Sequence, residues 1–309
     1  MSMPLISRPL CFAAAALMLA GMAACPALAQ APAAATSSAT PAPSSVANLN
    51  PILQVEYDLG SEAWRDDKLA ASPRKHEIAA IKVGARTLKA FVVHPLTPGK
   101  TPVVLMAPED QGIGGWARNM ADEIAAMGYT VVMPDYFSGE GPNGGDRDSF
   151  PDLRSVFEYH HFHPDSEAQM TGDLNAWADW SKALPAFNGK LAVVGFAWGG
   201  GRAFWFATQR HDLAATFIFY DVAPPPSALA GLSAPVYAFY AEHDARVVKT
   251  LDATKAAMAQ LGKAYEPVFY PGADHMFVRM GEEPKDLNPA NVWARNDSLA
   301  RLQALLAKL

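Results

Sequence analysis

Three short stretches of this chain carry residue types that could share one chemistry. Residues 191–201 read LAVVGFAWGGG, an apolar strand running into Gly195-Phe196-Ala197-Trp198-Gly199. A nucleophile flanked by glycines two residues away on each side is the pattern of a sharp strand-to-helix bend. The glycines have a mechanical role, because a Cβ at either flanking position would collide with the neighbouring strand or helix. The central side chain is thereby lifted over the C-terminal edge of the sheet. The helix that follows aims its first amides at the same point, and the Trp198 amide is placed to stabilise an oxyanion. Attack on a carbonyl needs Ser, Cys or Asp at the centre, and the sequence has Ala197. Taken alone, the run also fits a glycine-rich β–α turn of some other doubly wound protein.

Two downstream stretches narrow that reading. Ala238–Val248 (AFYAEHDARVV) is a strand ending in a loop that presents Asp244, and Tyr270–Arg279 (YPGADHMFVR) is a strand end followed by a loop that presents His275. The order nucleophile position, acid, base is that of α/β-hydrolases. Both residues fall just after apolar strands, where an open parallel sheet collects its active-site groups. Each alone would read as a solvated or structural side chain. Together they read as the acid and base of a triad whose nucleophile position is Ala197.

The elements that must position these residues follow from periodicity. Residues 77–83 and 88–94 read as two strands around a turn at Gly84-Ala85-Arg86. Pro102–Ala107 is a short apolar run of the kind buried on both faces. Trp116, Met120, Ile124 and Met127 recur at helical spacing and Gly128 closes that helix. Tyr129–Met133 is the next buried strand. Residues 136–163 read as an irregular insertion rich in Gly, Pro, Asp and His, long enough to be functional or lid-like. Asp165–Leu184 reads as a helix, Leu191–Val194 as a strand and Gly201–Thr208 as a helix. Phe217–Tyr220 and Pro235–Tyr240 read as strands, Val247–Leu261 as a helix, Tyr265–Tyr270 as the last strand and Val292–Ala307 as the closing helix. Strands alternating with helices predict the α/β class: a mostly parallel central sheet with helices on both faces.

VVGFAWGGG resembles the VGFCWGG elbow of the dienelactone hydrolase (carboxymethylenebutenolidase) family, and the resemblance extends over most of residues 77–309. It implies an α/β-hydrolase fold, no cofactor, and a small carboxylated ester or lactone as the molecule acted on or bound. Pro102–Gly112 (PVVLMAPEDQG) looks like the family strand and its glutamate-containing loop. Glu109 there matches the residue that contacts the family cysteine and helps set its protonation. Met133–Tyr136 (MPDY) is similar to a Pro-Asp-Leu-Tyr segment and makes Tyr136 a substrate-side candidate. Asp244 and His275 match acid and base, and Arg279 matches an arginine that holds the substrate carboxylate. An amide at Glu109–Asp110 would complete the oxyanion hole with that of Trp198. For the family's second arginine, Arg147 and Arg154 are candidates.

The departure is Ala197 for Cys. Both cysteines of the chain, Cys11 and Cys25, lie near its start, so no relocated thiol replaces the nucleophile. Three readings stay open: engineered removal of the nucleophile, a hydrolase in which His275, Asp244 and Glu109 activate a water, and a non-catalytic small-ligand-binding protein that keeps the pocket. The backbone discriminates among them, because a relaxed Ala197 would favour the non-catalytic reading.

The first residues form an address. Arg8 precedes an apolar run from Leu10 to Ala24, followed by Ala27-Leu28-Ala29, which predicts a secretory signal over 1–29 with cleavage before Gln30 and a periplasmic or secreted product. The run is short for a membrane span. Met22-Ala23-Ala24-Cys25 offers an alternative, a lipoprotein with lipid on Cys25. Residues 30–50, rich in Ala, Pro, Ser and Thr, read as a disordered tether, and 51–309 as one domain. A formal charge of −6 argues against nucleic acid as a partner. His160, His161 and His163 with Asp165 invite a metal, but a loop cluster of this kind is more simply a solvated surface. Phe204, Trp205 and Phe206 after the elbow, and Trp177 and Trp180, read as helix packing. No GxxxxGK[ST] run appears.

Overall fold

A computed structural model describes residues 63–162 and 167–309, with the backbone alone for 160–162 and 167. The expected signal, tether and Cys25 lie outside the described residues. So do His163 and Asp165 and the side chains of His160 and His161.

The chain enters through helix α1 (Ala63–Ala70) and a hairpin of β1 (Lys75–Val83) and β2 (Arg86–His94). Val83 pairs with Arg86 across the turn, and Gly84 supplies the positive φ of 59° that such a tight turn requires. Next come β3 (Thr101–Ala107), α2 (Gly115–Ala126), β4 (Thr130–Pro134), α3 (Leu153–Phe162) and α4 (Glu167–Lys182). The second half runs β5 (Phe187–Phe196), α5 (Trp198–Gln209), β6 (Leu213–Phe219), α6 (Pro226–Leu229), β7 (Val236–Ala241), α7 (Ala245–Gln260), β8 (Tyr265–Tyr270), α8 (Phe277–Met280) and α9 (Pro289–Leu306).

The strands form one eight-stranded sheet in the order β1-β2-β4-β3-β5-β6-β7-β8. Only the β1–β2 and β2–β4 pairs are antiparallel. From β3 the chain moves to β4 on one side, and from β5 it moves to β6 on the other. The C-terminal ends of β3 and β5 therefore border a switch point, where departing connections open a crevice. Glu109 follows β3 and Ala197 follows β5.

Strand periodicity divides the core between the two faces. Val104, Met106, Val194 and Phe196 pack with Trp116, Met120 and Ile124 of α2 and with Leu302 of α9. Val103, Leu105, Leu191 and Val193 pack with Leu174 and Trp177 of α4, Phe204 of α5 and Met258 of α7. Burial on both faces is why these strands read as continuous apolar runs rather than alternating ones.

The structure departs locally from the sequence reading. The helix after the elbow begins at Trp198, not Gly201, because glycines that lower helix propensity are required there for close approach. The 136–163 stretch is not wholly irregular, since it holds 3₁₀ turns at Pro142–Gly144 and Arg147–Ser149 and then α3. Helices α1 and α8 have too few residues to carry a periodic signature.

Candidate active site

The bend at Ala197 is built from backbone contacts. Gly195 lies against the Gly199 carbonyl and the Ala203 side chain, and Gly199 against the carbonyls of Ala107 and Pro108; a Cβ at either would overlap backbone atoms. The Ala197 amide donates to the Phe219 carbonyl at 3.1 Å, and the Ala197 carbonyl accepts from the amides of Gly200 at 2.7 Å and Gly201 at 3.2 Å. Held this way, Ala197 has φ 47° and ψ −125° as the N-cap of α5. That conformation costs an alanine about 1–3 kcal/mol. The elbow has not relaxed around its methyl group.

Asp244 caps α7, accepting the Val247 amide at 3.3 Å on Oδ1. Its Oδ2 lies 2.6 Å from His275 Nδ1, with Asp244 buried and the His275 side chain 12% exposed. Burial by itself raises the Asp244 carboxyl, but the hydrogen bond and charge of His275, helped by Arg246, hold it below its ordinary value. A buried carboxylate on Nδ1 orients the ring and favours the tautomer whose Nε2 is the base. The edge of Tyr220 packs on the His275 ring, with centroids 5.3 Å apart.

Glu109, only 1% exposed, accepts from Arg279 Nη1 at 3.2 Å and from the Tyr220 hydroxyl at 3.3 Å. Burial raises its carboxyl above the ordinary value against the opposing pull of Arg279 and His275. Asp110, which accepts the Gln111 amide, is pushed up to about 7 by burial and by the charge of Glu109. A recess beside this pair is lined by Glu109, Gln111, Gly112, Trp116 and Arg279.

Ala197, Asp244, His275 and Glu109 thus lie on loops at one edge of the sheet, and direct contacts join Asp244 to His275 and link Glu109 through Tyr220 to the His275 ring. Trp198 opens α5, and Tyr136 packs edge-on against its ring at 5.0 Å. Arg279 is the residue for which the resemblance implied a carboxylate-holding role. Its guanidinium is buried against Glu109. Arg147 folds onto the neighbouring loop, its Nε donating to the Gln111 carbonyl at 3.3 Å, whereas Arg154 pairs with Glu158 one helical turn away. Among the described residues no three His, Cys, Asp or Glu side chains converge as metal ligands, and no helix is long and apolar enough to cross a membrane.

Sequence reasoning missed Tyr220 and Asp221. Tyr220 follows β6 with φ 43°, and Asp221 beside it accepts the Gly201 amide at 3.0 Å and pairs with Arg246. Their one signal was position, because both follow an apolar strand directly, as Asp244 does.

Comparison with known proteins identifies relatives of this chain. The profile of the dienelactone hydrolase family matches residues 88–309. The carboxymethylenebutenolidase homolog of Rattus norvegicus is 28% identical over 222 residues, covering 68% of this chain and 83% of its own. Among solved structures, a dienelactone hydrolase-like promiscuous phosphotriesterase from metagenomic libraries superposes with a TM-score of 0.62 at 18% identity, covering 76% of this chain and 98% of that one. The dienelactone hydrolase of Anabaena variabilis superposes with a TM-score of 0.53 at 22% identity, covering 72% of this chain and 96% of that one. With a matched profile that spans β3 to β8, the elbow and both loops, the chain belongs to the dienelactone hydrolase family.

Proposed function

We propose that the protein hydrolyses small activated esters or lactones carrying a carboxylate, without a covalent intermediate. The observation that carries this reading is the unrelaxed elbow. Ala197 keeps φ 47°, and the 2.6 Å Asp244–His275 pair is intact. In the proposed reaction a water above the Ala197 methyl gives a proton to His275 Nε2 as its oxygen bonds to the substrate carbonyl carbon. The carbonyl oxygen takes up the electron pair and faces the N-terminus of α5, where the Trp198 amide and one at Glu109–Asp110 stabilise it. Collapse re-forms the carbonyl and expels the enolate or alkoxide, which recovers the proton from His275. Glu109 helps hold the water beside His275. A substrate carboxylate would reach Arg279 by competing with Glu109.

Loss of a triad nucleophile can cost about 10⁶ in turnover, while an oxyanion hole and binding retain about 10³–10⁴ over water. The substrate class is therefore one with a good leaving group, such as an enol lactone. The test assays the purified protein on an enol lactone beside His275→Ala; equal rates end the proposal.

The methyl of Ala197 favours a second reading, a pseudoenzyme that binds the same carboxylated ligand without turning it over. Calorimetry with an enol lactone would then give binding that Arg279→Ala abolishes, with no product formed. In either reading the protein works outside the cytoplasm, periplasmic or secreted. Mass spectrometry of the mature N-terminus separates cleavage before Gln30 from a lipidated Cys25.

A further inference from the structure

Two histidine–aspartate pairs cross between the same two loops. Asp244 pairs with His275, and the residues just before them, His243 and Asp274, pair at 2.8 Å between His243 Nδ1 and Asp274 Oδ1. The inner pair is buried, whereas the outer side chains are 56% and 43% exposed. Backbone bonds run alongside. The His243 amide donates to the Ala273 carbonyl at 3.0 Å, and the Gly272 amide donates to the Glu242 carboxylate at 2.7 Å.

Asp274 is also held from its other side by the start of α9. Its amide donates to Asn291 Oδ1 at 2.8 Å, and its Oδ2 accepts from Asn288 Nδ2 at 2.6 Å and Asn291 Nδ2 at 3.1 Å. Asn288 reaches the Gly272 carbonyl as well, and Asn291 is tied in turn to Asp286. On the far side of His275, Met276 has φ 61° and leads into α8. His275 is thus a single residue between a carboxylate with partners on two sides and a left-handed turn.

We propose that Asp274, braced by His243, Asn288 and Asn291, is a positioning residue that fixes His275 on Asp244. The proposal rests on the reading of His275 as the base. Stability alone does not account for the outer His243–Asp274 pair, because exposed polar pairs of this kind contribute little to folding. Placement does account for it, since small displacements of a catalytic group cost large factors in rate.

The test is NMR of the full protein, following solvent exchange of the His275 Nδ1–H proton in the Asp244 pair, with turnover of an enol lactone measured in parallel. Asp274→Asn is expected to speed that exchange and lower kcat about tenfold with KM unchanged. His243→Ala leaves the Asp274 charge in place and is expected to give about threefold in the same direction. Being at an exposed position, it carries the test if Asp274→Asn fails to fold. Unchanged His275 exchange in the folded variants overturns the proposal. If the wild-type protein does not hydrolyse the lactone, the reading of function fails while the exchange measurement still decides the positioning role.

Discussion

The two halves of the site are built in opposite ways. The elbow at Gly195–Gly199 is backbone geometry without a reactive group, held at φ 47° by three main-chain hydrogen bonds and two close glycine contacts. The His275 side is reactive groups held by other side chains: Asp244 inside, Asp274 and two asparagines outside. A bend enforced by close packing survives replacement of the residue at its tip, because no contact that makes it belongs to that side chain. A side-chain constellation has no such tolerance, because each member is itself a contact.

Restoring the missing group makes the sharpest test of that contrast. Ala197→Cys is expected to raise turnover of activated esters by about 10³-fold if the two halves still face each other productively. Steady-state kinetics on the two proteins measures it, and no gain would mean the halves have drifted apart. Gly199→Ala attacks the packing that makes the bend. With a Cβ forced against the Ala107 and Pro108 carbonyls, a loss of about 3 kcal/mol is expected in urea denaturation.

Asp135 extends the comparison to the loop after β4. It accepts the amides of Phe137 and Arg147, and burial, aided by Asp146 and Asp148, pushes its carboxyl up to about 6 from 3.8. A raised acid binds its proton more tightly in the folded state, so its ionisation destabilises the fold as pH rises from about 4 to 6. Asp135→Asn is therefore expected to be more stable than wild type by about 2 kcal/mol at pH 7, with the gap closing by pH 4 in denaturation curves at both values. The smallest effect expected is that of Ala197→Gly. It relieves positive-φ strain and should raise stability by about 1 kcal/mol, whereas the same exchange in an ordinary helix or strand lowers it. A loss would mean that the elbow stores no strain.

Much of the fold was legible because its signals are local. Val103–Ala107 and Leu191–Phe196 are buried on both faces and read as unbroken apolar runs, while Trp116, Met120 and Ile124 read at helical spacing. Short elements such as Phe277–Met280 were not legible, since one helical turn has no period to detect. In the site, the loops bearing Glu109, Asp244 and His275 were legible from strand ends. Tyr220 and Asp221 were missed although they stand in the same kind of place, because an aromatic residue and an acid after a strand carry no motif.

The sequence by itself determined the order of the strands and most helices, the glycine-flanked bend, the absence of a nucleophile at its tip, and the loops where acid and base emerge. Each is a matter of neighbouring residues or of period along the chain. Only the tertiary structure decided that Ala197 keeps the strained bend, that Arg279 turns onto Glu109 across 170 residues of chain, and that two histidine–aspartate pairs cross between adjacent loops. Which partner a charged side chain takes depends on which loops the sheet brings to one edge, and that information resides in the packed strand order rather than in any local run of residues.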